Sequence, residues 1–323
     1  MTAPSRPSRE SPALTDGRVV ESHGQQVVVE DLSGRRVACR LHGRKLAVVC
    51  GDDVRWGYAA ADDGMGIVYE LKPRRATLAR LATSGTTEPI VANLSQLVAV
   101  VAPVPAPDWF VVDRYLASAA WCGIGALIAC NKSEIAATPE IASELAVYAA
   151  IGYPIVHTST RAAPGIEALA ARLKGATSVL VGQSGTGKSS LLNALAPEAQ
   201  AVTQEISAAS EQGRHTTTTA VLHRLASGGD LIDSPGVRDY APPLPAVRDV
   251  ASGFLEIART AGGCRFQDCL HSAEPGCAVR AAVAGNAIHP RRFESYRRLV
   301  AQARELGERR PARRPPRPSG RVR

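Results

Sequence analysis

The chain has 323 residues, of which 45% are hydrophobic and 21% are charged, and these values are ordinary for a globular protein and exclude a disordered or fibrous chain. The length favours two or three domains. The formal net charge is +8, but the last fifteen residues contain seven arginines and no acid, so the rest of the chain is close to neutral.

Residues 1–15 are polar and rich in proline, and we expect them to form a disordered N-terminal tail. They contain no apolar segment of the signal-peptide type. The longest apolar run, at residues 119–130, is too short to span a membrane. These features predict a cytoplasmic protein with no membrane partner.

Residues 16–104 consist of short β-rich runs separated by turn residues, and the last run is QLVAVVAPV at 96–104. About five strands in a segment of this length predict a small closed barrel of the OB type, which often binds RNA. A strand-rich domain with scattered arginines and no RNA partner is the alternative. The basic residues on or beside the strands are Arg35, Arg36, Arg40, Arg44 and Lys45.

After Pro107 the pattern alternates between buried strands and helices, and it continues to residue 241. Asp108 can cap the first helix, and GALIAC at 125–130 is typical of a buried strand. The alternation predicts an α/β domain over residues 105–241, with a mostly parallel sheet covered by helices. Ligands of such sheets gather at the carboxyl ends of the strands.

The stretch GQSGTGKSS at 182–190 follows a predicted strand and begins a predicted helix. It satisfies the phosphate-loop pattern G-x4-G-K-[ST], in which glycines let backbone N–H groups face phosphate oxygens. We expect Lys188 to neutralise the β- and γ-phosphates and Ser189 to coordinate Mg²⁺. The predicted nucleotide-binding residues of this loop are Gly182, Gln183, Ser184, Gly185, Thr186, Gly187, Lys188, Ser189 and Ser190.

The stretch DSPG at 233–236 ends a β-type run and matches the D-x-x-G pattern of GTPases. Its Asp233 would hold Mg²⁺ through water, and the backbone N–H of Gly236 would sense the γ-phosphate. The polar stretch before it contains four threonines at 216–219. Of these, Thr217 or Thr218 is expected to bind magnesium.

The stretch CNKSE at 130–134 is similar to the N-K-x-D loop that recognises guanine in GTPases, yet it precedes the phosphate loop. Asn131 and Lys132 match the pattern, and Glu134 replaces the aspartate, which moves the carboxylate oxygens by about 1.5 Å. We expect the guanine preference to persist. Ser159, in the loop after the next strand, is expected to close over the base.

The reversed order of the base-reading loop and the phosphate loop indicates circular permutation, because a sheet with adjacent termini can be cut and rejoined elsewhere.

Residues 242–308 are predicted to be mostly helical, with a Cys/His cluster between residues 264 and 277 that indicates a metal site. A coincidental group of cysteines is the alternative. The apolar stripe of the last helix comprises Phe293, Tyr296, Leu299, Val300, Ala303 and Leu306. The tail at 309–323 is expected to be disordered and either to bind polyphosphate partners or to remain solvated.

The order of N-K-x-E loop, serine loop, phosphate loop, GRHTTT and DSPG, between a barrel and a Cys/His cluster, resembles the ribosome small subunit-dependent GTPase A family of circularly permuted GTPases. This resemblance covers nearly everything except the two tails. It implies a multidomain fold with an OB-fold barrel, a permuted P-loop GTPase domain and a helical zinc-binding domain. It also implies a monomeric cytoplasmic GTPase that binds the 30S ribosomal subunit and its 16S rRNA late in assembly and is stimulated by the subunit.

The resemblance further implies one structural zinc ion, bound by Cys264, Cys269, His271 and Cys277 in the spacing C-x4-C-x-H-x5-C. Three thiolates and one imidazole fill a tetrahedral shell and leave no open position for a substrate. It also points to His215 as the residue that orients the attacking water, because Val237 replaces the glutamine that follows D-x-x-G in Ras-like enzymes. The expected catalytic residues are therefore His215 and Lys188.

Two other functions remain open at this point. One is a nucleotide-dependent RNA-binding module with negligible turnover, which Val237 and Glu134 both allow. The other is an NTPase whose base specificity is relaxed by Glu134.

Overall fold

The structure is a computed structural model, and it describes residues 13–43, 46–58, 64–82, 86–162, 165–197, 219–238 and 240–309. Residues 1–12 and 310–323, which include most of both predicted tails, lie outside the described residues, as do Arg44 and Lys45. The chain divides into two compact units, Met1–Pro243 and Leu244–Arg323. No helix among the described residues is long and apolar enough to cross a membrane.

The first unit begins with a closed barrel of five strands. Its strands are β1 (Thr15–His23), β2 (Gln26–Asp31), β3 (Arg36–Leu41), β4 (Asp53–Tyr58) and β5 (Gly66–Leu71). The strand order is β1–β2–β3–β5–β4, and β4 pairs with β1 to close the barrel, with β3 and β5 parallel. Alternate residues along the strands point inward, so a small valine-rich core is sufficient to fill it.

A two-stranded hairpin follows the barrel, formed by β6 (Thr77–Leu81) and β7 (Thr87–Ala92). The sequence pattern does not predict this hairpin. Pro89 interrupts its second strand and the register shifts between Leu78 and Ala79, so neither run shows the regular alternation of a strand.

The second part of this unit is an α/β sheet built from β8 (Gln96–Val101), β9 (Gly125–Cys130), β10 (Ile155–His157), β11 (Thr177–Val181), β12 (Ala220–Arg224) and β13 (Asp230–Asp233). The order is β10–β9–β8–β11–β13–β12, and all neighbours are parallel except β12 with β13. Its helices are α1 (Trp109–Trp121), α2 (Pro139–Ile151), α3 (Glu167–Leu173), α4 (Lys188–Leu195) and the short α5 (Pro235–Arg238).

Strand β8 corrects one expectation from the sequence. The pattern of β-rich runs assigns residues 96–104 to the barrel, whereas β8 lies in the parallel sheet between β9 and β11. Its residues Leu97–Val101 are all buried, on both faces of the strand. A continuous apolar run of this kind is typical of a parallel strand covered on both sides, and not of a barrel strand with one solvated face.

The second unit is helical, with a 3-10 helix (Val247–Gly253), α6 (Leu255–Ala261), α7 (Ala278–Ala284) and α8 (Pro290–Arg309). Four residues of the predicted apolar stripe of α8 are buried, namely Tyr296, Leu299, Val300 and Ala303, but Leu306 is 39% exposed. Over residues 301–308 only Ala303 is buried, so the apolar stripe continues past the packed part of the helix.

Candidate functional site

The phosphate loop connects the end of β11 to the start of α4 and requires glycine at two positions. Gly182 has φ +152°, and a Cβ there would lie 2.3 Å from the carbonyl oxygen of Val100. Gly187 has φ +92°, and a Cβ would lie 2.2 Å from Nδ2 of Asn131. Any side chain would therefore clash with the neighbouring strand or with the N-K-x-E loop.

The side chains of the phosphate loop hold its shape. Lys188 Nζ donates to the carbonyl oxygens of Gly182 (2.6 Å) and Gln183 (2.8 Å). The buried Thr186 donates through its hydroxyl to the carbonyl of Gln183 (3.0 Å). The residues of the loop and of the first turn of α4 that remain exposed are Ser184, Gly185, Ser189 and Ser190.

Asn131 connects the N-K-x-E loop to the phosphate loop. It follows β9 directly and is 2% exposed. Its Nδ2 donates to the carbonyl oxygen of Thr186 (2.9 Å), and its Oδ1 accepts from the hydroxyl of Thr158 (3.2 Å). The two loops are therefore in contact at the carboxyl ends of β9, β10 and β11.

Glu134 and Ser159 lie in the loops that follow β9 and β10, and their side chains are in contact. The hydroxyl of Ser159 donates to Glu134 Oε2 (2.6 Å) and accepts from the backbone N–H groups of Arg161 and Ala162, both at 3.0 Å. The bond from Ser159 holds the pKa of the Glu134 carboxyl below its ordinary value. Lys132 has φ +57° and donates through Nζ to the carbonyl of Val104 (2.7 Å).

A cleft beside the phosphate loop contains the D-x-x-G motif. Lys188, Ser189 and Asp233 line it together, and Ser234 and Val237 complete its polar and apolar walls. The hydroxyl of Ser189 and the carboxylate of Asp233 are hard oxygen ligands of the kind that Mg²⁺ prefers, so the residues present fit that ion.

The D-x-x-G motif ends at Gly236, in a turn that packs tightly against the β6–β7 hairpin. A Cβ at Gly236 would lie 3.0 Å from Cγ2 of Ile90 in the β6–β7 hairpin, so the hairpin lies directly against this glycine. The side chain of Val237 is buried at 2% exposure. His215, Thr217 and Thr218 lie outside the described residues.

The second unit contains a cluster of four ligating side chains. The ligand atoms of Cys264, Cys269, His271 and Cys277 all lie within 4.8 Å of one another. Nδ1 of His271 is 3.5 Å from Cys264 Sγ and 3.4 Å from Cys277 Sγ, and the two sulfurs are 3.9 Å apart. A tetrahedral ion with metal–sulfur bonds of about 2.3 Å and a metal–nitrogen bond of about 2.0 Å requires S···S and S···N separations of about 3.8 and 3.5 Å. The cluster can therefore hold a metal ion.

Backbone groups and a carboxylate preorganise this cluster. Glu274 accepts from the N–H groups of Leu270, Ser272 and Ala273 at 2.7 to 3.0 Å, which fixes the loop around His271. Burial lowers the pKa of His271 and keeps its imidazole neutral, the form that binds metals. The N–H of Arg280 donates to Cys277 Sγ (3.4 Å) at the start of α7.

Three contacts at the carboxyl edge of the sheet carry no sequence signal. Thr158 anchors Asn131, the Val104 carbonyl anchors Lys132, and Gln183 accepts from the backbone N–H of Asp108 (2.9 Å). A hydroxyl, a carbonyl and an amide of this kind occur throughout any chain. Only the folded arrangement identifies them as supports of the site.

Comparison with known proteins places the chain in a family. A family model described as RsgA GTPase matches residues 71–241. A small ribosomal subunit biogenesis GTPase of Pseudomonas fluorescens is 40% identical over 298 residues, covering 90% of this chain and 86% of that protein. The protein with the same name from Chromohalobacter salexigens is 44% identical over 292 residues, covering 88% and 85%.

Solved structures show the same architecture. The crystal structure of YjeQ from Thermotoga maritima has a TM-score of 0.72 and 30% identity, and it covers 90% of this chain and 99% of its own. The structure of YloQ, a circularly permuted GTPase, has a TM-score of 0.70 and 25% identity, and it covers 96% and 100%. The predicted fold class is confirmed: a closed barrel, a permuted GTPase domain, and C-terminal helices with a Cys/His cluster. The resemblance found in the sequence motifs is confirmed as well, and the chain belongs to the RsgA GTPase family.

Proposed function

We propose that the protein hydrolyses GTP to GDP and phosphate and acts in the late maturation of the small ribosomal subunit. In this proposal it binds the 30S subunit, and the subunit stimulates its GTPase activity. Support comes from its family and from relatives that carry the name of small ribosomal subunit biogenesis GTPases. The protein would act as a monomer in the cytoplasm.

The observation that carries the proposal is the hydrogen bond of 2.9 Å from Asn131 Nδ2 to the carbonyl of Thr186. A base-reading loop and a phosphate loop can bind one nucleotide only if they lie at one edge of the sheet. Their order in the chain is reversed, so sequence proximity cannot explain this contact. A nucleotide site assembled from both loops does explain it.

The phosphate end of the site would use charge and backbone dipoles. Lys188 Nζ now bonds to two loop carbonyls, and a β- or γ-phosphate oxygen would be a stronger, charged acceptor in their place. The start of α4 adds the positive end of its dipole. Ser189 and Asp233 would hold Mg²⁺, with Thr217 or Thr218 as a further ligand. A bound magnesium ion would neutralise the charge that develops on the phosphates.

Guanine recognition would rest on Glu134. Its carboxylate can accept from the two N–H groups of guanine, a donor pair that adenine lacks. Ser159 holds one carboxylate oxygen in place, which compensates for the freedom of the longer side chain, and it lowers the pKa of the carboxyl below its ordinary value. Lys132 and Asn131 brace the loop from the other side.

Water activation would depend on the ribosomal subunit. Val237 is buried and apolar, so it cannot orient a water molecule. We infer that His215 orients the water when the protein is bound to the subunit, and that the free protein is therefore slow. The same observation favours the second candidate function, an RNA-binding module with negligible turnover, until stimulation is measured.

The two modules that flank the GTPase domain would have different roles: the barrel would bind RNA, and the C-terminal unit would be stabilised by a metal ion. The barrel would contact 16S rRNA, as closed OB barrels with basic strands often do. The Cys264, Cys269, His271 and Cys277 cluster would hold one structural zinc ion, because three thiolates and one imidazole complete its shell. That ion would supply folding energy to a unit whose apolar core is small.

The test is phosphate release from GTP by the purified protein alone, with 30S subunits and with 50S subunits as a matched control. We expect slow turnover alone and a large increase with 30S subunits only. Turnover that is the same in all three samples would refute the proposal.

A further inference from the structure

Strand β12 joins the barrel to the nucleotide-binding sheet. It pairs antiparallel with β1 of the barrel on one side and with β13 on the other. Val221 in β12 lies opposite Glu21 in β1 and opposite Asp233 in β13. Because Asp233 is the carboxylate of the proposed magnesium site, a single row of three paired residues connects that site to the barrel.

A second connection lies at the other end of the same strands. Arg18 of β1 donates to the Asp230 carboxylate (2.7 Å) and to the Thr177 hydroxyl (3.0 Å). Thr177 and Asp230 are the first residues of β11 and β13, the two strands that lead to the phosphate loop and to Asp233. Asp230 is buried at 6% exposure, so this ion pair is better shielded from water than a surface pair.

Arg224 of β12 completes the network. It donates to the second oxygen of Asp230 (2.6 Å) and to Glu30 of β2. Asp230 therefore accepts from an arginine of the barrel and from an arginine of the α/β sheet. The barrel is attached to the nucleotide-binding strands by backbone pairing and by shared charges, and not only by the chain that connects them.

We propose that Arg18 is a positioning residue that couples the barrel to the nucleotide site, so that the affinity of the barrel for the small subunit changes with the bound nucleotide. This inference rests on the proposed function. A change at Asp233 displaces β13 and β12, and the Arg18 contacts with Asp230 and Thr177 make β1 move with them. Without Arg18, β1 and its barrel would still be tied to β12 by the backbone pairs Glu21–Val221 and Ser22–Ala220, the His23–Thr219 hydrogen bond and the Arg224–Glu30 ion pair. The direct contact of β1 with the first residues of β11 and β13 would be lost.

The test compares 30S affinity in two nucleotide states. The affinity of each protein for 30S subunits is measured with GDP and with a non-hydrolysable GTP analogue, and the ratio of the two affinities reports the coupling. Such ratios are typically about 5- to 150-fold. We expect Arg18→Ala to lower the wild-type ratio at least threefold without changing GTP hydrolysis by the free protein. Arg18→Lys keeps the charge opposite Asp230, and we expect it to restore part of the ratio.

Arg55→Ala is the matched control. It removes the same charge from the same barrel, but its ion pair with Glu70 (3.3 Å) lies between β4 and β5, within the barrel. We expect it to keep the wild-type ratio. An unchanged ratio in Arg18→Ala, or an equal loss in Arg55→Ala, would overturn the inference. Stimulation of wild-type GTP hydrolysis by the same 30S preparation, measured in a separate assay with GTP, shows independently whether the proposed function stands.

Hydrogen exchange gives a second test that needs no variant. We expect the amides of Val19 to His23 in β1 to exchange at different rates in the GDP and GTP-analogue states of the wild-type protein, while those of β4 stay constant. Equal rates for β1 in both states would contradict the coupling, even if Arg18→Ala could not be folded.

Discussion

The side-chain amide of Asn131 donates a hydrogen bond of 2.9 Å to the carbonyl oxygen of Thr186, although the two residues are 55 positions apart in the sequence. The oxygen of the same amide accepts from Thr158, in the loop after β10. One buried amide therefore fastens three loops to each other at one edge of the sheet. This contact depends on the position of the strands and not on their order along the chain, so circular permutation leaves it intact.

Asn131→Ala should weaken nucleotide binding more than an ordinary surface change does. The Thr186 carbonyl would lose its donor inside a buried contact, which costs about 1–3 kcal/mol of stability. We expect GDP affinity to fall about tenfold as well, which corresponds to about 1.4 kcal/mol of binding free energy, because the base-reading loop would no longer be held against the phosphate loop. Titration with fluorescent GDP and urea unfolding would measure both effects. Gln302→Ala, which removes an exposed amide from α8, is the control, and equal affinities in the two variants would contradict this role of Asn131.

Glu134 should determine the choice of base. Glu134→Ala removes both acceptor oxygens, and each hydrogen bond to a charged group is worth about 1.5–3 kcal/mol. We expect GTP affinity to fall by about a hundredfold or more, ATP affinity to stay the same, and Glu134→Asp to keep the preference for GTP. Competition of GTP and ATP against a fluorescent nucleotide would measure this. A Glu134→Ala variant that still prefers GTP would show that another group reads the base.

The pH dependence of binding should reveal the bond between Ser159 and Glu134. This bond lowers the pKa of Glu134, so the carboxylate stays ionised down to pH values below the ordinary range of glutamate. In Ser159→Ala the pKa returns towards its ordinary value, and the loss of GDP affinity on acidification begins at a higher pH. The ratio of wild-type to variant affinity removes the titration of GDP itself. Parallel profiles of the two proteins would contradict this assignment.

Metal removal should affect the second unit selectively. Cys269→Ser removes one of four ligands, and we expect it to lower the metal content well below one ion per chain and to unfold residues 244–309 while GDP binding persists. Elemental analysis, hydrogen exchange and GDP titration would measure the three quantities. Cys122→Ser, far from the cluster in sequence and in the first unit, is the control. A wild-type protein that contains no metal and keeps a folded second unit would contradict the proposal.

The backbone of the loop at residues 182–190 could be predicted from the sequence because local backbone geometry requires particular residues there. Gly182 and Gly187 are required by positive φ angles and close neighbours, and such glycines are visible as a motif. The strands and helices around them also follow from apolar periodicity, as the helix at Pro139–Ile151 shows.

The junction between barrel and sheet could not be predicted in the same way. The pairing of β1 with β12 joins residues about 200 positions apart through only two described residue pairs, and neither strand has a composition that specifies this partner. The charges that fix it, on Arg18, Glu30, Arg224 and Asp230, look like ordinary surface charges in the sequence. The sequence pattern groups strand β8 with the barrel for a related reason, since periodicity identifies a buried strand but not the sheet that contains it.

The most direct measurement is GTP hydrolysis by the wild type and by Lys188→Ala, each with and without 30S subunits. Lys174→Ala, which removes an exposed lysine at the end of α3, is the control for the charge change. We expect stimulated turnover in the wild type and in Lys174→Ala, and a loss of about a hundredfold or more in Lys188→Ala, because its Nζ would no longer bind the transferred phosphate. Hydrolysis that survives in Lys188→Ala, or that 30S subunits do not accelerate in the wild type, would contradict a GTP site built from the two reordered loops and activated by the small subunit.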